Sequence, residues 1–183
     1  MDAAAILRNA ALGAVSGIAA SLVMDGVQAG ASAAQKQLSS EDSEGGDDSS
    51  GDDSTVKAAD RLSEAASGNP VPEDRKQTAG SAVHFGFGAL LGAVYGAAGT
   101  AFPIVRSGFG LPFGAATWAA ADEVLVPAAG LGKGPTEVPA SEQASYLGMH
   151  LVFGAALEGS LRLMEAGLAQ LSDGERHGRA ENS

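Results

Sequence analysis

The 183-residue sequence contains no cysteine. Disulfides, thiolate metal sites and cysteine nucleophiles are thereby excluded, and nothing follows about compartment. Basic residues are scarce: 11 lysines and arginines stand against 22 aspartates and glutamates, a net charge of −11. A chain this acidic has no electrostatic footprint for a phosphate backbone, so no nucleic-acid partner is expected. Aromatic residues make up only 5%, whereas alanine and glycine are abundant. The length suits a single domain.

Charge is also unevenly placed. Residues 35–79 hold five bases (Lys36, Lys57, Arg61, Arg75, Lys76) and eleven acids, from Glu41 to Asp74. Four other stretches, residues 9–24, 77–105, 107–121 and 143–157, lack charged side chains apart from His84 and His150. A helix that crosses a bilayer needs about 20 predominantly apolar residues. The second stretch meets that outright, and the others reach it if one end tolerates a carboxylate. Glycines recur one turn apart at Gly13–Gly17, Gly88–Gly92–Gly96 and Gly110–Gly114. In lipid such spacing lets helix backbones approach closely; in water each interior glycine costs roughly 1 kcal/mol against alanine. Prolines punctuate the polar segments at Pro70, Pro72, Pro103, Pro127, Pro135 and Pro139.

The pattern predicts helices at about 4–28, 79–102, 109–128 and 143–168. The expected fold is all-α: a four-helix transmembrane bundle built from two repeated helical hairpins, with a disordered acidic loop between helices 1 and 2. Along the chain this gives a first transmembrane helix in 1–34 and an acidic disordered loop with a short amphipathic helix in 35–78. Three further transmembrane helices follow in 79–168, then a polar tail in 169–183. The insert at 39–54, SSEDSEGGDDSSGDDS, has no apolar residue and cannot bury enough surface to order itself; it does not align with a calcium-binding loop. Val56, Ala59, Leu62 and Ala66 recur at helical spacing, which marks the short helix expected in 55–68. Glu158 and Arg162, spaced i,i+4, can pair on one face of the last helix. The excess of acids over only four lysines suits a high-salt cytoplasm.

A duplication organises the polar residues. His84–Phe87–Gly88–Ala89 and His150–Phe153–Gly154–Ala155 share the pattern H-x-x-F-G-A, offset by 66 residues. Gly13–Gly17–Asp25 and Gly110–Gly114–Asp122 share a second pattern, offset by 97. The 31-residue difference is accounted for if the acidic insert was added to the first connection. Each hairpin then carries an aspartate late in its first helix and a histidine early in its second. Asp25, His84, Asp122, Glu123 and His150 should therefore lie near one membrane face, where ionisable groups are expensive and face the interior or water. The plainest role is structural: carboxylate–imidazole hydrogen bonds that tie the hairpins together. The alternatives are a divalent metal site, a proton or ion relay, and hydrolytic catalysis. No short metal-ligand spacing and no G-x-S-x-G elbow is present. No cofactor is expected, with a divalent metal the one alternative.

The small-residue helix ending in Met24-Asp25, the H-x-x-F-G start at His84, and Trp118, Asp122-Glu123, Pro127 and Gly130-Leu131 followed by His150 resemble the YagU-like family of small integral membrane proteins. The resemblance covers about residues 5–165 and implies a multi-span protein of the cell membrane. It implies no activity. Bases divide almost evenly between the two sides of such a topology: Arg8, Arg106, Arg162, Arg176 and Arg179 against Lys36, Lys57, Arg61, Arg75, Lys76 and Lys133. Arg106, in the shortest connection, favours cytoplasmic termini. The first apolar helix is expected to be retained rather than cleaved at Ala31-Ser32-Ala33, because the repeat makes it the partner of helix 3. The functional expectation is an integral membrane protein of structural or accessory role. A transporter, channel or metal- or proton-binding component using the Asp/His cluster is the alternative, and a soluble acidic helical binding module a second. The expected partners are the lipid bilayer and a second copy through the glycine-rich helix faces.

Overall fold

The computed structural model describes residues 2–38 and 50–181. Among these residues every regular element is helical and no strand occurs. Five helices carry the fold: α1 (Ala3–Leu38), α2 (Ser50–Ser67), α3 (Lys76–Ala101), α4 (Leu111–Ala120) and α5 (Ala140–Glu181). Two segments, α1 and Glu73–Ala101, are long and apolar enough to cross a membrane.

Local sequence sets the boundaries. Gly68 ends α2 in a left-handed conformation (φ 77°), with its N–H on the Glu64 carbonyl, as C-terminal glycines do. Pro72 is extended, and a tight turn, Glu73–Arg75, leads into α3 with its two acids at the positive end of the helix dipole. Pro103 forces Phe102 out of helical geometry (φ −135°, ψ 88°) and stops α3. Gly108, Phe109 and Gly110 then all take positive φ, which reverses the chain into α4. Phe109 pays for that reversal with a left-handed backbone, about 1–2 kcal/mol for a side chain with a Cβ.

Four differences from the sequence-based expectation have physical causes. Helix α1 runs on to Leu38, because alanine and glutamine continue to favour helix after the apolar stretch. Helix α2 starts at Ser50, so the end of the insert expected to be disordered is helical; the remaining part of that expectation, 39–49, lies outside the described residues. The third expected helix is not regular throughout. It passes through a widened π-type turn, Ala121–Leu125, before a last turn at Val126–Ala128. Pro127 has no N–H for the carbonyl four residues back, and the helix absorbs that loss by bonding the Val126 N–H to Ala121, five residues back. Finally, α5 continues through the expected polar tail to Glu181, since nothing after Pro139 breaks it.

The helices pair antiparallel. Gly13 and Gly17 of α1 meet Gly92 and Gly88 of α3 so closely that a Cβ on Gly13 would lie 2.1 Å from the Gly92 carbonyl oxygen. Gly110 and Gly114, at the start of α4, meet Gly154 and His150 of α5 in the same backbone-to-backbone manner. The two contacts differ in register by about one turn: Gly13 meets Gly92, but its counterpart Gly110 meets Gly154, which matches Gly88 in the repeat. Helix α1 also packs on α5, and α2 lies along α3.

The burial pattern is inverted relative to a water-soluble helix. On α1 the buried stripe is Gly13, Ser16, Gly17, Ala20 and Ser21, while Val15, Ile18, Leu22, Val23 and Val27 face outward. On α3 five of the six buried residues are glycines and the sixth is Tyr95; Phe87, Leu90 and Val94 point away. The apolar centre is small: Ala20, Tyr95, Phe153, Leu157 and Leu161. In water, burial of large apolar side chains drives folding and small residues drift outward. On α1, and on α3 apart from Tyr95, the large ones are left for the surroundings, whereas Phe153, Leu157 and Leu161 of α5 are buried.

Candidate functional site

The repeat places its two aspartates and two histidines as two cross-helix pairs. Asp25 ends the apolar stretch of α1 and meets His84 on the opposing turn of α3, with Oδ1 3.1 Å from Nε2. That contact is at ion-pair distance, but no aligned hydrogen bond forms, and Nε2 is shielded from solvent without a hydrogen-bond partner. Asp122, in the π-type turn, lies 3.6 Å through Oδ2 from His150 Nδ1. The same Nδ1 hydrogen-bonds the Tyr146 carbonyl one turn back at 2.9 Å. His150 is therefore held by its own helix, whereas His84 is held only by its neighbour.

Of the five residues singled out from the sequence, the structure joins Asp25 to His84 and Asp122 to His150. Glu123 is half-buried beside Asp122. Among the described residues no group of three or more histidines, aspartates or glutamates is arranged to hold a metal ion. The five lie toward the same end of their helices, as two pairs rather than one focus.

At the other end lies a charge network that the sequence reading missed. Glu158 of α5 has no exposed surface. Its Oε2 accepts from the Tyr95 hydroxyl at 2.9 Å and from Arg106 Nε at 3.0 Å, and its Oε1 accepts from Arg162 Nε at 2.6 Å. The two terminal nitrogens of Arg106 grip Glu165 bidentately, at 2.8 and 3.0 Å. The Arg106 stem lies against Gly99, where a Cβ would not fit. Arg162 also stacks over Phe109, 5.1 Å from the ring centroid. Two arginines thus balance two glutamates, so the network around the buried Glu158 carries no net charge. Only buried ions that are paired and fully hydrogen-bonded are tolerated in such a place. Tyr95 closes the site by packing on Phe113, with ring centroids 4.7 Å apart.

The expected Glu158–Arg162 pair is present, with its carboxylate buried and its guanidinium side half-exposed. One signal could have found the network. Glu158, Arg162 and Glu165 share one face of a run otherwise poor in charge, and Arg106 is the single charge in the shortest connection.

A third polar junction ties α2 down. Arg61 donates to the carbonyls of Ala129 and Gly130, at the end of the α4 segment. Asp60 accepts from the Val71 N–H at 3.0 Å and lies 3.9 Å from Lys76. Helix α2 therefore bridges from α3 to the far end of the second hairpin.

Residues 66–159 match the family described as "Protein of unknown function (DUF1440)". The match spans His84, Tyr95, Arg106, Asp122, Glu123, His150 and Glu158, and leaves out Asp25, Arg162 and Glu165. No curated protein and no solved structure gives a significant match.

Proposed function

The chain belongs to the DUF1440 family, and from that premise we propose that it is a multi-pass protein of the cell membrane with a structural or accessory role. The observation that carries this reading is the inverted burial. On α1 and α3 glycine and serine lie inside beside Tyr95 and the paired Glu158, and a belt of valine, leucine, isoleucine and phenylalanine lies outside. A bilayer solvates that belt at no cost, and small-residue faces are how helices associate where lipid removes the hydrophobic drive. Four spans, formed by α1, α3, the α4 segment and α5, would make a transmembrane bundle of two hairpins. The YagU-like likeness and cytoplasmic termini belong to the same reading. Self-association would have to use glycines left open, such as Gly26, Gly30, Gly86 and Gly148, because the close-packed glycines are occupied within the chain.

The test is an alkaline carbonate wash of membranes containing the tagged full-length protein. Retention in the pellet, with release only by detergent, is the expected result. Recovery in the supernatant would sink the reading and leave a soluble acidic helical module in its place. A second role, in binding or moving an ion through the Asp/His residues, is favoured by one observation: the Asp25–His84 pair borders a polar cleft.

A further inference from the structure

Among the described residues Phe109 alone takes a positive φ with a side chain attached (φ 56°). It stands between Gly108 and Gly110, which adopt that conformation freely. A left-handed backbone at a bulky residue is an outlier that the surrounding structure must hold in place, and such outliers gather at functional sites. Here it sets the aromatic ring against α5. The ring edge lies 3.7 Å from where a Cβ on Gly159 would stand, and the Arg162 guanidinium lies over the ring, 5.1 Å from its centroid.

Arg162 is held at one end and open at the other. Its Nε donates to Glu158 Oε1 at 2.6 Å, and among the described residues that is its only hydrogen bond. The side chain is 55% exposed, so its terminal nitrogens keep four N–H donors for a partner outside the chain. Glu165, three residues on, is already taken by both terminal nitrogens of Arg106. The connection that carries Phe109, Pro103–Gly110, has an exposed apolar surface: Phe102, Ile104, Phe109 and Leu111 stand in or beside it, and Leu163 follows Arg162 on α5. Irregular backbone cannot face hydrocarbon. A connection between two spans therefore lies at the boundary of the acyl chains, where apolar side chains dip inward and an arginine reaches the headgroups.

We propose that Arg162, presented on the Phe109 ring, binds the phosphate of an anionic membrane phospholipid. A guanidinium grips phosphate bidentately through its terminal donors, and those are the donors left open here. Glu158 fixes the Nε end and the ring supports the face, so the group is ordered before the lipid arrives and little freedom is lost on binding. The exposed apolar side chains beside it give the acyl chains a surface to lie on. A zwitterionic lipid suits the site less well, because its ammonium brings a second positive charge near the guanidinium. The inference rests on the membrane reading above and names the lipid class that reading would involve. The two fail separately: protein that stays in the carbonate-washed pellet but shows no lipid preference refutes the phosphate site alone.

The full-length protein in detergent is titrated with dioleoylphosphatidylglycerol or dioleoylphosphatidylcholine, and bound lipid is counted by native mass spectrometry. Wild type is expected to bind phosphatidylglycerol more tightly than phosphatidylcholine. R162Q should weaken phosphatidylglycerol binding by at least about tenfold, the effect of losing hydrogen bonds to a charged group. R8Q removes an exposed arginine at the same end of the molecule, next to the Asn9–Thr100 contact, and should leave binding unchanged. Equal affinity of wild type for the two lipids overturns the proposal, and so does an equal loss in R8Q and R162Q. Displacement of the lipid by millimolar inorganic phosphate also overturns it, since the site would then take free anions. If R162Q does not fold, F109G decides, because it keeps every partner of Glu158 and glycine adopts the positive φ freely. Weakened phosphatidylglycerol binding by folded F109G supports the site, and unchanged binding overturns it.

Discussion

Glu158 is charged and has no contact with solvent, so its stability depends wholly on Tyr95, Arg106 and Arg162. Removing one member of a buried ion pair leaves the other uncompensated and costs about 3–5 kcal/mol. Glu158→Ala is therefore expected to destabilise the protein by roughly that amount in a detergent denaturation series. Glu165→Ala should cost less, because Glu165 is one-third exposed and Arg106 keeps Glu158. Glycines sort in the same way. Gly92→Ala places a methyl group 2.1 Å from the Gly13 carbonyl oxygen and forces α1 and α3 apart, an overpacking cost of about 1–3 kcal/mol. Gly26→Ala meets nothing within 4 Å and should stabilise the protein by up to about 1 kcal/mol of helix propensity, read as a small rise in melting temperature. At this scale the glycine spacing and the Asp/His pairs were legible, since both are written in short patterns. The Arg106–Glu158 contact was not, because the two are separated by 52 residues and no local pattern joins them.

Among the elements, α2 packs on α3 through Val56 at Gly80 and reaches the second hairpin through a polar contact. Its grip on the far hairpin rests on Arg61, whose guanidinium caps the carbonyls of Ala129 and Gly130. Arg61→Ala is expected to speed amide hydrogen exchange across α2 and around residues 126–130, while the protection of α1 and α3 stays unchanged. If protection in α1 and α3 falls as well, α2 is part of one cooperative unit with them rather than a bridge laid over it. The existence of α2 could be read from Val56, Ala59, Leu62 and Ala66, but its start at Ser50 could not, because serine and aspartate there carry no apolar period. The π-type turn likewise follows from Pro127 only once the helix is known to continue past it. The one-turn difference in register between the hairpins was hidden, because matching motifs fix which residues correspond and not which ones touch.

For the molecule as a whole, the outer surface decides the environment. The sequence contains no cysteine, so any introduced thiol reports alone. Single cysteines at Val15, Leu22, Leu90 and Val94, all exposed on the helices, are expected to resist a membrane-impermeant maleimide in intact membranes. A cysteine at Asn69, in the connection before α3, is expected to react from one side. Labelling of all five positions in intact membranes would place the belt in water instead.

Helix α5 is unbroken over 42 residues, about 63 Å at 1.5 Å per residue, or twice the thickness of a bilayer's hydrocarbon core. His150, Glu158 and Glu165 ride on it together. A stiff shaft of that length cannot slide or rotate at one end alone. Any axial step that separated Glu158 from Arg106 would also drag His150 past Asp122, so the polar junctions at the two ends of the molecule must change in concert.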